Sequence, residues 1–182
     1  TGTAAFGRFG LDAAGRISFR TRNSSGVDQV RIASEQAFLS GDYWVHCLIN
    51  VDLSASGSNR VKLWINGVRV TTLASGESTY GTATTYNGNF ATSTQIGRGN
   101  TNSTNMYYSE MLLAEMHLID GTNYDETYFG QFDANGIWIP KAVSGVNYGT
   151  YGFYLDFADT SDFGADAAGS NDATAYNFAT TD

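Results

Sequence analysis

The dipeptide Asn66-Gly67, inside "VKLWINGVRV", constrains this chain more than any other two residues. Both tolerate the positive φ that a two-residue type I′ hairpin turn requires, and apolar alternation runs up to them and resumes after them. The pattern predicts that Ile65 faces Val68, Trp64 faces Arg69 and Leu63 faces Val70. One face of the ribbon, Leu63, Ile65, Val68 and Val70, then belongs to a core. The other carries Lys62, Trp64 and Arg69. Trp64 and Arg69 are placed for a cross-strand cation–π contact or for the edge of a subunit interface.

Strand-like segments recur along the chain. "AAFGRFG" (4–10) and "GRISFRTR" (15–22) bracket the turn "LDAA", and "VDQVRIA" (27–33) alternates. "SGDYWVHCLINVDL" (40–53) reads as the longest strand, central because both faces are apolar, with Trp44 in the core. Residues 74–105 are rich in Ser, Thr, Asn and Gly and read as a long loop holding one strand, "STQIGRG". "SEMLLAEMHLIDG" (109–121), "GIWIPK" (136–141) and "YGTYGFYLDFAD" (148–159) read as strands. "NYDETYFGQFDANG" (123–136) is expected to hold one short helix, with Asn123 as its N-cap. Many short strands with tight turns and little helix point to an antiparallel sandwich or jelly roll.

The chain has 182 residues, 42% of them apolar, which suits one domain with a sizeable core. No run of 18 apolar residues occurs, so no membrane span is expected. Residues 1–109 hold nine basic and six acidic side chains, whereas 110–182 hold Lys141 against twelve acids. That acidity argues against binding to a nucleic-acid backbone. It is compatible with cation binding or a basic partner. Cys47 is the only cysteine and sits in an apolar strand pattern, so it reads as a buried thiol and disulfides within the chain are excluded. A protein made in a cytoplasm but working outside a cell, such as a phage virion protein, fits this usage.

The order "SGDYWVHCLINVD", "NRVKLWINGVRV", "QIGRG", "MLLAEMHLIDG" resembles the concanavalin A-like lectin/glucanase superfamily in its laminin-G-like (LamG) form. The continuation through "IDG", "FG", "GIWIPK", "YGTYGFYLDF" and the Gly/Asn/Asp-rich tail is similar to LamG-like domains of bacteriophage virion proteins, over residues 27–178. The resemblance implies an all-β fold: an antiparallel β-sandwich, a concanavalin A-like jelly roll, with a short helix and an extended acidic C-terminal tail. It implies a LamG-like sandwich over 1–121, its N-terminal strands missing, and a C-terminal extension over 122–182 that packs on and completes it. It also implies a virion location, with assembly in the host cytoplasm and a homo-oligomer among other virion proteins.

Hydrolases of the wider superfamily place alternate carboxylates on one strand face. Glu110 and Glu115 are separated by an odd interval and would point to opposite faces. Glu115 and His117 share a face, as an acid/base pair or as a partly buried strand pair. The chain therefore reads as a non-enzyme. Calcium is the candidate cofactor that the resemblance brings, with Asp156, Asp159, Asp162, Asp166, Asn171 and Asp172 as hard oxygen ligands. The tail departs from the family's usual Ser-Gly-Asn-Gly-Asn-Asp and reads "AAGSNDA", which weakens that assignment.

Aromatics set among Ser, Gly and Asn suit glycan stacking or a protein interface. The candidates are Tyr80, Tyr86, Asn87, Asn89, Phe90, Asn100, Asn102, Tyr107 and Tyr108. The expected function is a non-catalytic structural or attachment protein of a tailed phage, a fibre, appendage or capsid-decorating component. It would bind host-surface polysaccharide or neighbouring virion proteins. Two rivals stay open: a carbohydrate-binding module of a polysaccharide-degrading enzyme, and a pure assembly module without ligand.

Overall fold

The structure is a computed structural model. It describes residues 6–38, 43–82, 95–102, 105–108 and 112–175, with 98–102 and 105–108 described by their backbone alone. The chain divides into two compact units, described separately below: Thr1–Asn89 with Asn123–Ser144, and Phe90–Thr122 with Gly145–Asp182.

In the first unit β1 (Phe6–Leu11), β2 (Arg16–Arg22), β3 (Asp28–Ala37) and β7 (Leu73–Thr79) form an antiparallel sheet in that order. The β1–β2 turn closes as the sequence suggests: Asp12 Oδ1 accepts from the Ala14 and Arg16 backbone N–H groups. β4 (Cys47–Val51), β5 (Val61–Ile65) and β6 (Val68–Arg69) form a three-stranded sheet with β5 in the middle. Ile17, Val30, Ile32 and Phe38 meet Val61 and Leu63 in one core. Each such buried aliphatic side chain contributes about 1.5–3 kcal/mol. The unit also holds the ribbon β11 (Gly130–Phe132) with β12 (Trp138–Pro140).

The second unit holds two ribbons, β8 (Arg98–Asn102) with β9 (Asn105–Tyr108), and β10 (Met116–Leu118) with β13 (Phe153–Leu155). The segment after β13 is a chain of turns. The Ala167 backbone N–H returns to the Tyr154 carbonyl at 2.8 Å, and that of Ala173 to the Gly164 carbonyl at 2.8 Å.

These observations correct several expectations. The chain is all-β and antiparallel, but its sheets are open and small, of four, three and two strands, and they are not the jelly roll expected. The expected short helix is a single 3-10 turn, Glu126–Tyr128, one of two in the described residues; Asp125, not Asn123, caps it by accepting from the Thr127 N–H. The acidic tail is folded back rather than extended between 156 and 173. Among the described residues, segments 109–121 and 148–159 yield only three strand residues each. Positive φ at Glu115 (52°) and Phe157 (57°) breaks the extended path of both strands at the same end of the β10–β13 ribbon, where Met116 pairs with Leu155. The segment 40–53 is not central: β4 starts at Cys47 and lies at the edge of its sheet. β7, rich in Ser, Gly and Thr, was expected as loop; it pairs with β3, and Glu77 takes both a 2.7 Å bond from Arg31 Nε and a second from Arg31 Nη2.

The opening hairpin has the expected register, Ile65 with Val68 and Trp64 with Arg69, and positive φ at Asn66 (49°) and Gly67 (73°). Its faces differ from expectation. Val61 and Leu63 are buried, but so is Trp64, at 8% exposed, while Val68 is 61% exposed. β6 is two residues long and lies at the edge of its sheet, and both of its residues are exposed. A Cβ on Gly67 would lie 2.1 Å from the Trp138 ring. Gly67→Ala is therefore expected to destabilise by about 2–3 kcal/mol, against about 1 kcal/mol for Gly57→Ala, whose φ is also positive but whose Cβ would meet open space. Urea unfolding of both variants checks this; equal losses would remove the Trp138 contact as the cause.

Candidate functional site

The turn at Asn66-Gly67 organises a surface as well as a hairpin. Asn66 Oδ1 accepts from the His46 backbone N–H at 2.8 Å, and the Asn66 N–H donates to the His46 carbonyl at 2.9 Å. This two-way clasp fixes the chain entering β4. The Trp138 ring lies against Gly67 on one side, and a Cβ on Gly130 would also meet it, at 2.5 Å. It packs edge-on to Phe132 (centroids 5.0 Å) and tilted to His46 (5.6 Å). Burial lowers the His46 pKa and keeps the imidazole neutral at pH 7.

Of the large exposed side chains, Phe132 touches the Trp138 ring, and four others lie along the chain within two residues of Trp138 or of a residue it meets. The four are Trp44, Val68, Ile137 and Ile139. Trp44 was expected in the core but is 65% exposed, with Tyr43 exposed beside it. Both precede β4, where strand alternation does not operate. Sequence reasoning missed this surface. The available signal was the pair Tyr43-Trp44 just outside an apolar run, and Ile137 and Ile139 on either side of a tryptophan.

The other candidates disperse. Tyr80 is partly buried against the core of the first unit. Tyr86, Asn87, Asn89 and Phe90 lie outside the described residues. Asn100, Asn102, Tyr107 and Tyr108 lie on the β8–β9 ribbon of the second unit, where Gly99 pairs with Tyr107, Arg98 with Tyr108 and Asn102 with Asn105. Trp64 is inside its unit, and Arg69 reaches toward the Ser58 carbonyl (3.4 Å) and Asn59 Oδ1 (3.5 Å). Cys47 is half-buried against the core, and burial pushes its thiol up to about 12.

In the second unit Glu115 and His117 meet through tyrosines. Tyr154 OH donates to the Glu115 carboxylate, His117 stacks on Tyr154 (4.2 Å, 14°), and His117 Nδ1 is 2.8 Å from Tyr148 OH. Burial, then the hydrogen bond and charge of Glu115, raises the Tyr154 pKa; burial, then the charges of Asp166 and Glu115, raises that of Tyr148. Both phenols stay protonated, Tyr154 donates to Glu115, and the cluster ties side chains of β10 and β13 together.

The calcium candidates divide in two. Asp156, Asp159 and Asp162 each accept from the backbone N–H two residues on. Asp166, Asn171 and Asp172 come together in a knot. Asp166 Oδ1 accepts from Tyr154 and Ala168 N–H at 2.9 Å, Oδ2 accepts from Asn171 N–H at 3.0 Å, and the Asp166 N–H donates to Asp172 Oδ1. Asn171 Nδ2 donates to the Thr150 and Gly152 carbonyls. Among the described residues no three His, Cys, Asp or Glu side chains converge as a metal site.

Burial raises the Asp166 pKa, but the backbone N–H bonds of Tyr154, Ala168, Asn171 and Gly169 outweigh it and hold the carboxyl below 3.8. A folded value below the unfolded one stabilises above the unfolded pKa, and the contribution is lost as pH falls through the folded value. Acid is therefore expected to loosen residues 153–173 below about pH 4. Asp166→Ala should cost about 2–4 kcal/mol at neutral pH and flatten that acid limb. Amide exchange of this segment at several pH values decides it; an unchanged acid limb in the variant would reject Asp166 as the cause.

No protein-family model, curated protein or solved structure matches the chain.

Proposed function

We propose that this chain is a non-catalytic structural and attachment protein of a phage virion, and that its Trp138-centred surface is covered by a neighbouring virion protein. The observation that carries this reading is the exposed Phe132 packed on the Trp138 ring, together with four exposed large apolar side chains within two residues, along the chain, of Trp138 or of a residue it meets: Trp44, Val68, Ile137 and Ile139. Aromatic anchors among aliphatic side chains are the usual centre of a protein interface, where a few such residues supply most of the binding energy. The anchors are also pre-ordered, since Trp138 lies against Gly67 and Gly130 and Trp44 precedes the His46–Asn66 clasp by two residues. Pre-ordering lowers the entropic cost of association. The virion context rests on the motif order and on the LamG-like resemblance of the C-terminal string, without the jelly roll.

A second reading concerns Tyr43 and Trp44 alone. Two exposed rings side by side suit stacking on sugar, so host-surface glycan stands as the other ligand class. The two readings separate by side-chain type. Ile137→Ser with Val68→Ser should weaken assembly into the particle by about tenfold or more, with unchanged thermal stability, if a protein covers the surface. Trp44→Ala should then weaken assembly as well; if it abolishes glycan binding while the aliphatic variants assemble normally, the interface reading fails. Reducing-end release from polysaccharide by the purified chain would overturn the non-catalytic assignment.

A further inference from the structure

The face of the four-stranded sheet turned away from the core carries a charge pattern that the fold alone does not require. Arg8, Arg20 and Arg31 are direct cross-strand neighbours on β1, β2 and β3. Like charges placed directly opposite one another destabilise a sheet. The chain holds them there with carboxylates. Asp28 accepts from Arg20 Nε (2.9 Å) and Nη2 (2.8 Å) and from Arg22 Nε (3.0 Å). Glu77 takes Arg31, and Asp12 takes Arg16, whose Nε is 2.8 Å from Asp12 Oδ2. Asp28 and Asp12 are depressed in pKa: burial raises each, and the bonds from their arginines outweigh it. They remain ionised. Arg8 is exposed and has no ionic or hydrogen-bonding partner among the described residues.

These side chains wall a groove of about 310 Å³. Between the charged side chains its lining is mostly small, Ala13, Ala14 and Ser18. Four arginines line it against two carboxylates, Asp12 and Glu77, an excess of two positive charges. The volume is at the lower end of small-ligand sites, which run from about 300 to 1,000 Å³.

We infer that this groove binds an acidic sugar, a saccharide unit bearing carboxylate or sulfate groups, with the guanidinium groups on the anion and Asp12 and Glu77 on its hydroxyls. The lining discriminates among anions. Among the described residues no aromatic ring lines the groove, so these offer no platform for nucleobases. It lacks the aromatic anchor of a protein hot spot. Two carboxylates within it repel a densely charged polyphosphate but accept hydrogen bonds from hydroxyls. Carboxylate and sulfate oxygens match the guanidinium fork, and ion-paired arginines are already oriented for it. The excess charge is small, so a single site binds weakly, and many copies on one particle supply avidity.

This inference deepens the glycan arm of the proposed function and is independent of the Trp138 surface. The test is calorimetric titration of the whole chain with a uronate oligosaccharide, a sulfated one, a neutral one of equal length, inorganic polyphosphate and single-stranded DNA. Arg8→Ala serves as the groove variant and Arg69→Ala as an exposed arginine outside it. The expected result is acidic-sugar binding that weakens about tenfold in Arg8→Ala, is unchanged in Arg69→Ala and fades by about 0.5 M salt, with equal melting temperatures. Partial recovery in Arg8→Lys would support a guanidinium–anion contact at that position. No acidic-sugar binding at millimolar concentration, equal loss in both alanine variants, or tighter binding of polyphosphate or DNA would each overturn it. Any of these would leave the Trp138 reading standing, because that reading is tested through Ile137 and Val68.

Discussion

The Asn66-Gly67 turn is the contact on which the first unit depends. Two residues in positive φ reverse the chain so that β5 sits between β4 and β6. Asn66 clasps His46 through backbone and side chain, and Gly67 gives Trp138 a flat, Cβ-free bed. A hairpin turn normally has one task, matching the twist of its strands. Here it also fixes the entry to β4 and seats the β11–β12 ribbon. Phe132 packs edge-on to the seated ring, and Val68, Ile137 and Ile139, next in sequence to Gly67 or Trp138, stay exposed.

Charge does different work in the two units. On the four-stranded sheet, carboxylates are the counter-ions that let arginines stand side by side. After β13, carboxylates bond the backbone instead: turns at Asp156, Asp159 and Asp162 and the Asp166 knot use their oxygens on N–H groups. A segment poor in large apolar residues cannot hold itself by burial, so hydrogen bonds to ionised side chains replace it. The excess of acids in residues 110–182 therefore has a structural use, apart from any cation.

Much of the local structure was legible. Alternation and turn chemistry located β1, β2, β3, β5 and β12 and the hairpin register, because each depends on near neighbours; Cys47, expected buried, is half-buried. β7 was not legible: its Ser/Gly/Thr composition carries no alternation, and it is a strand because Arg31 meets Glu77 across forty-six positions of chain. The long strands expected at 109–121 and 148–159 fail at Glu115 and Phe157, where positive φ is imposed by surroundings no propensity encodes. Trp44 was misplaced for a related reason, since alternation was extended past the point where the His46–Asn66 clasp takes over.

The sequence by itself determined an all-β antiparallel chain, its tightest turn and the lopsided distribution of its charge. These follow from side-chain period, φ tolerance and composition, which act over a few residues. Tertiary structure alone decided which strands share a sheet, which tryptophan is buried and which is bare, and that Arg8, Arg20 and Arg31 stand in one row. Pairing partners lie tens of residues apart, and burial is a property of what else arrives at the same place.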